Sequence, residues 1–408
     1  MTKNLLRRSR ASRWTSLSIA AAAIVSAGAL TVGCLERPVV KQKPNTSNVF
    51  VQNIANKAID KIDLLFVIDN STSMADKQKI LEQAVPNMVT RLVVPDCVVR
   101  DEDGNVTARS ASTPAGTPGG DPTCGTGNLE FKPVNDIHIG VISSSLGSHG
   151  TPGTCANAAG SNGDDKGYLM PRTSTRSGIP DPHGTGFLVW HPALKEGEPA
   201  GTPVEADLAQ LTTNFAAHVV AAGEKGCGFE AQLESWYRLL VDPSPPADVV
   251  RNGNIAGSTG IDQALLDQRA AFLRPDSLVA IVLLTDENDC SAMDGGSYYP
   301  FAGYGWLLTK IDTGSTLRVA TTACETNPND PCCYSCLNTS VPSACKDESS
   351  FAACAQVNGA VPTLPVDQDR ANARCFQNQR RFGIDLLYPT SRYVSALKST
   401  TIIDGQDG

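Results

Sequence analysis

Two stretches of this chain are apolar almost without interruption. Ile62 and Leu64–Ile68 make up the first and Leu278–Leu284 the second, and each is followed at once by acids and hydroxyls. A strand with one solvated face alternates, whereas continuous apolarity is the pattern of a parallel strand covered on both faces. Parallel strands need long crossovers, usually helices, and helical periodicity lies between these runs. Residues 74–92 place Ile80, Leu81, Ala84, Met88 and Leu92 on one face, with Pro86 expected to kink or shorten the helix. Residues 206–222, 230–241, 261–273 and 390–398 follow the same period, the second of these through Leu233, Trp236 and Leu240. Ile137–Ile142 is predicted as a third strand and Ile384–Tyr388 as a fourth. The alternation predicts an α/β fold, a doubly wound and mostly parallel sheet.

Three stretches break that alternation: 97–131, 148–205 and 290–375. They hold many of the 35 Gly and 26 Pro, and most of the 13 Cys. What remains is enough for one ordinary domain. The expectation is therefore one core, 60–398, with three loop insertions stapled by disulfides.

The odd cysteine count is explained at the N-terminus. Residues 1–33 begin with Lys3, Arg7, Arg8, Arg10 and Arg13 and continue through an apolar run, Leu17 to Val32. The run ends in Leu30-Thr31-Val32-Gly33-Cys34, which resembles a bacterial lipobox. It is only marginally long for a transmembrane anchor. Arg7-Arg8 lacks the apolar residues that should follow in twin-arginine export. The resemblance implies that 1–33 is a lipoprotein signal peptide and that Cys34 is lipidated. The protein would then be exported and lipid-anchored in a bacterial cell envelope, with Leu35 pointing to the outer membrane. Assigning Cys34 to lipid leaves an even number of cysteines, the arithmetic of a disulfide framework in an exported chain. Cys97–Cys124, within one insertion, is an expected pair. Residues 35–59, with Pro38 and Pro44, read as a polar tether, and 399–408 as a C-terminal tail.

The first apolar run ends in Asp69-Asn70-Ser71-Thr72-Ser73-Met74, just before a helix. The second ends in Thr285-Asp286-Glu287-Asn288-Asp289-Cys290. Ligands of doubly wound sheets gather at the C-terminal strand ends, and hard divalent cations want clustered oxygens. Asp-x-Ser-x-Ser after one strand, with a later Thr-Asp after another, resembles the von Willebrand factor A-like domain. The segments 60–74 and 285–290 are similar to exported bacterial lipoproteins that carry it. That resemblance implies a Rossmann-like fold with a metal-ion-dependent adhesion site. Ser71 and Ser73 would coordinate Mg²⁺ (or Mn²⁺ or Ca²⁺) directly, and Asp69 and Asp286 directly or through water. An open position would accept an acidic side chain from a protein partner. The family also supplies a Thr from the loop before a middle helix, but here that loop reads Gly226-Cys227-Gly228-Phe229-Glu230. Cys227 is expected to pair with Cys290, and Glu230 to stand in as a ligand or supporting acid.

Other readings compete. Asp69, Ser71 and Ser73 are good helix N-cap residues. A phosphoryl-transfer acid pair would need Asp at position 71, where Ser stands. Cys332, Cys333, Cys336 and Cys345 lack the repeated CxxC spacing or nearby His of a zinc site, and disulfides suit an exported chain better. Asp101-Glu102-Asp103-Gly104-Asn105 lacks the Gly and Glu of a calcium loop, with Ser112 at the twelfth place. His138, His149, His183, His191 and His218 form no HExxH, and there is no GxSxG elbow. The net charge of −8 and pI near 5.2 argue against nucleic acid. The expectation is a membrane-anchored binding module rather than an enzyme. The alternative is a structural envelope scaffold with a vestigial metal site.

Overall fold

The computed structural model describes residues 61–115, 120–147, 155, 163–170, 179, 181, 184–191, 205, 207–252, 255–294, 318–336, 342–345, 352–355, 364 and 374–399. The expected signal peptide, Cys34 with its tether, and tail residues 400–408 lie outside them. Lys61–Ile68 forms β1, and Ala75–Val93 forms α1, entered through a 3-10 turn at Thr72–Met74. Three short strands follow, β2 (Cys97–Arg100), β3 (Val106–Ser110) and β4 (Asn128–Leu129). Next come β5 (Asp136–Ser143), β6 (Phe187–Trp190), α2 (Leu208–Ala221) and α3 (Gln232–Leu240). A hairpin, β7 (Asp248–Asn252) and β8 (Ile255–Thr259), leads to α4 (Gln263–Phe272) and β9 (Leu278–Leu284). Beyond β9 lie α5 (Thr322–Thr326), α6 (Asn378–Phe382) and α7 (Thr390–Lys398).

The central sheet has the order β6-β5-β1-β9. β1 runs parallel to both neighbours and β6 is antiparallel, so the fold is mixed α/β with a mostly parallel sheet. The pleat of β1 divides its side chains between two apolar layers. Ile62, Leu64, Phe66 and Ile68 pack with Val89 of α1 and Phe215 of α2. Leu65 and Val67 pack on the other face with Trp236 of α3, Leu265 of α4 and Tyr393 of α7. Ring contacts lock both layers, Phe66 to Phe215 at 4.9 Å and Trp236 to Tyr393 at 5.8 Å between centroids. Burial on both faces is why this strand can afford no polar alternation.

Several expectations need correction. Residues 384–388 add no strand to the central sheet. Their backbone is spent elsewhere, Met293 N–H donating to Leu386 O and Tyr388 N–H to Ser291 O, and Leu387 makes an isolated bridge with Ala292. The fourth strand is β6, inside the segment 148–205 that was expected to be insertion. Segment 97–131 is not all loop, since β3-β2-β4 form a small antiparallel sheet there. Pro86 does not shorten α1, which runs on to Val93, and Thr90 Oγ1 donates back to Pro86 O at 2.9 Å. The buried face of that helix is carried by Val89 and Val93, while Ile80 is 67% exposed.

Six disulfides join the twelve cysteines of the domain. Cys97–Cys124 forms as expected and closes the small sheet. The cluster weighed against zinc is spent in Cys324–Cys333, Cys332–Cys345 and Cys336–Cys354. Such a framework is consistent with an exported, non-cytoplasmic protein. Among the described residues no helix is long and apolar enough to cross a membrane.

Candidate functional site

Strand register sets the site. Ile68 of β1 lies level with Ser143 of β5 and Leu284 of β9. All three strands therefore end on one rim, where Asp69 N–H donates to Leu284 O at 2.9 Å and Ser144 N–H to Ile68 O at 3.0 Å. Parallel pairing alone places Asp69 beside Thr285 and Asp286.

Asp69 is fully buried, and its two carboxylate oxygens have different donors. Oδ1 accepts from Ser71 N–H at 2.9 Å and Oδ2 from Thr285 Oγ1 at 2.7 Å. One end of the Gln232 amide lies 2.8 Å from the same Thr285 hydroxyl. Ser71 Oγ and Ser73 Oγ are 3.0 Å apart, and Ser73 Oγ donates to Asp286 Oδ1 at 3.1 Å. The structure thus brings Asp69, Ser71, Ser73 and Asp286 together.

The helix N-cap reading does not account for them. Ser71 precedes the 3-10 turn but makes no side-chain cap, and neither does Met74 at the start of α1. The hydroxyls are spent on each other and on Asp286 instead. Asn70 anchors the loop beneath. Its Nδ2 donates to Ala222 O at 2.8 Å, and its Oδ1 accepts from Ser145 Oγ at 2.7 Å. Gly226 N–H donates to Asn70 O at 2.7 Å. A Cβ at Gly226 would sit 2.1 Å from Asn70 Oδ1, so this close approach requires glycine.

Glu230 is buried beside the same rim. Burial pushes its carboxyl up to about 8, and the charges of Asp69, Glu287 and Asp286 add to the rise. Glu287 is raised for the same reasons, burial first and then Asp69 and Asp286. Asp286 goes the other way. The Lys77 ammonium holds it below the ordinary carboxylate range, through an ion pair of 2.9 Å to Oδ2. Among the described residues, Asp69, Glu230, Asp286 and Glu287 thus influence one another near this rim, and Lys77 pairs with Asp286.

The Cys227–Cys290 pairing is overturned. Cys227 bonds Cys155 and Cys290 bonds Cys375, with Cα separations of 5.0 and 5.3 Å. The two loops are neighbours all the same, and their four cysteines share one apolar cluster with Phe229 and Ala292. What joins the loops is backbone and capping hydrogen bonds. Cys290 N–H donates to Glu230 O at 2.7 Å, while Asp289 Oδ1 and Ser291 Oγ accept the Leu233 and Glu234 N–H groups that open α3. Each cysteine has one bond to give, and the partners come from the insertions.

The donors are hydroxyl and carboxylate oxygens, the type that small hard cations take. Adjacent vertices of an octahedron with metal–oxygen bonds of ~2.1 Å lie ~3.0 Å apart. The hydroxyl-to-hydroxyl and hydroxyl-to-carboxylate spacings are ordinary hydrogen-bond lengths that are also compatible with that edge. Among the described residues no three His, Cys, Asp or Glu side chains converge as a metal-binding group, and two of the four oxygens here are hydroxyls. Sequence reasoning gave no role to Thr285 or Lys77. Thr285 was visible as the residue before Asp286, and Lys77 as the residue one helical turn after Ser73.

No family model matches the chain, nor does any curated protein or solved structure.

Proposed function

We propose that the chain is an exported, lipid-anchored binding module with a doubly wound fold of the von Willebrand factor A-like type. It acts by holding a protein partner rather than by turnover. Asp69, Ser71, Ser73 and Asp286 would hold Mg²⁺ or Mn²⁺, with Glu230 as a supporting acid behind them. The bound ion would supply a Lewis-acidic position for a carboxylate oxygen of the partner. The chain's own residues set the direction of approach. Asp69 and Ser71 are buried, whereas Ser73 is exposed and the Asp286 side chain is 24% exposed. A partner therefore meets the site from the Ser73–Asp286 side.

The observation that carries this reading is the 3.1 Å hydrogen bond from Ser73 to Asp286, which links the two strand-end loops at the cluster. The lipid anchor rests on the lipobox-like residues ending in Cys34 and the outer-membrane address on Leu35, and the disulfides support export.

One observation favours a second reading. Lys77 already gives Asp286 a positive partner, as it would in a structural envelope scaffold with a vestigial site. Capture of partners from native envelope, with and without EDTA, separates the two. Retention lost in EDTA, restored by Mg²⁺ and absent in Asp69→Asn supports the metal-dependent module. Retention unchanged by EDTA supports the scaffold.

A further inference from the structure

We infer that Lys77 is a built-in competitor for the cation, a tethered ammonium that a divalent ion must displace from Asp286. The inference rests on the cation reading above and adds to it how the site is regulated and which ions it admits. Lys77 lies in the first turn of α1, one turn beyond Ser73. Its Nζ donates to Asp286 Oδ2 at 2.9 Å, to Ser73 O at 2.8 Å and to Asp76 Oδ1 at 3.2 Å. An ammonium has three hydrogens, so these acceptors use all of them. The other oxygen of the same carboxylate, Asp286 Oδ1, accepts from Ser73 Oγ at 3.1 Å. The resident charge and the candidate cation position therefore share one carboxylate.

Two consequences follow from charge. A monovalent ion gains little at Asp286, because it brings no more charge than the ammonium it replaces. A divalent ion brings twice that charge, and so gains more from the nearby Asp69, whose donors among the described residues are the neutral Ser71 N–H and Thr285 hydroxyl. Lys77 thus sharpens selection for divalent over monovalent ions and lowers apparent affinity by the fraction of time it holds Asp286. Its side chain is 43% exposed and flexible, so it can swing into solvent once displaced.

The test is calorimetric titration of Mg²⁺ into the full domain at low ionic strength. It compares wild type, Lys77→Met and Lys79→Met. Lys79 is an exposed lysine of the same helix with no ion pair among the described residues, so its loss controls for net charge. An exposed pair of this kind contributes only modestly, and mutual repulsion of the two cations adds to it. Lys77→Met should therefore bind Mg²⁺ about three- to tenfold more tightly than wild type. Lys79→Met should stay within about twofold, and the gain should shrink at high salt. Wild-type binding with no gain in Lys77→Met, or an equal gain in Lys79→Met, overturns the competitor role while leaving the cation reading intact. Absence of binding in wild type and Lys77→Met alike overturns the cation reading itself, and this inference with it.

Discussion

Arg274 Nε donates to Asp63 Oδ1 at 2.8 Å. Strand β1 therefore has a buried acid near its start that is neutralised by a base, and another, Asp69, just past its end that is not. Among the described residues no base pairs with Asp69. Its donors are a backbone N–H and a hydroxyl, both neutral. The same strand shows what this protein does with a buried carboxylate when only stability is at stake. Arg274 also bonds Asp63 through its own N–H at 2.9 Å, reaches Asp136 of β5, and donates to Ile62 O at 2.9 Å. The contrast between the two ends is the electrostatic basis for the cation proposed at Asp69.

Arg274→Met should destabilise the fold by about 3–5 kcal/mol, because it removes the guanidinium that pairs with buried Asp63 and Asp136. Urea unfolding checks this. The site lies at the opposite end of the strand, so the variant, while folded, should keep the wild-type affinity for Mg²⁺. A stability loss below ~1 kcal/mol would contradict the account of Asp63.

His138 predicts a pH dependence. Burial pushes its imidazole down to about 4, the nearby Arg274 charge adds to the fall, and Nδ1 lies 2.7 Å from Phe272 O. The unfolded chain binds this proton near pH 6.5. Between about 6.5 and 4 this imidazole holds its proton in the unfolded state and not in the folded one, so its contribution to stability falls as pH falls through that window. The loss is complete below about 4 and amounts to roughly 3 kcal/mol. His138→Phe should flatten that part of the profile. Equal slopes in wild type and variant, measured by denaturant titration from pH 7 to 4, would count against it.

Peptide mapping without reduction should recover Cys155 linked to Cys227 and Cys290 linked to Cys375. A Cys227–Cys290 peptide would contradict the arrangement around the rim.

What the sequence made legible follows from burial. β1 could be read because a strand enclosed by helices needs apolar residues. β9 carries the same kind of run, but it is an edge strand with Leu278 and Leu283 exposed, so the expectation that it is covered on both faces is corrected. β6 could not be read, being four residues at a sheet edge within a Gly- and Pro-rich stretch. Residues 384–388 carried a strand-like run, but tertiary pairing with 291–293 used their backbone groups first. At the site, Asp69, Ser71, Ser73 and Asp286 were legible because register brings strand ends level. Lys77 was not, because its role depends on where a side chain from α1 folds back across the rim. The true partners of Cys227 and Cys290, Cys155 and Cys375, were hidden for another reason. Four cysteines meet in one cluster there, and sequence cannot say which two loops return to it.

Electron paramagnetic resonance of Mn²⁺ added to the purified domain tests the central claim most directly, since bound Mn²⁺ loses the sharp six-line signal of the free ion. The wild type should take up one ion per chain, and Asp69→Asn and Asp286→Asn should leave the signal free. A wild-type sample whose signal stays that of free Mn²⁺, or variants that bind as the wild type does, would contradict the account.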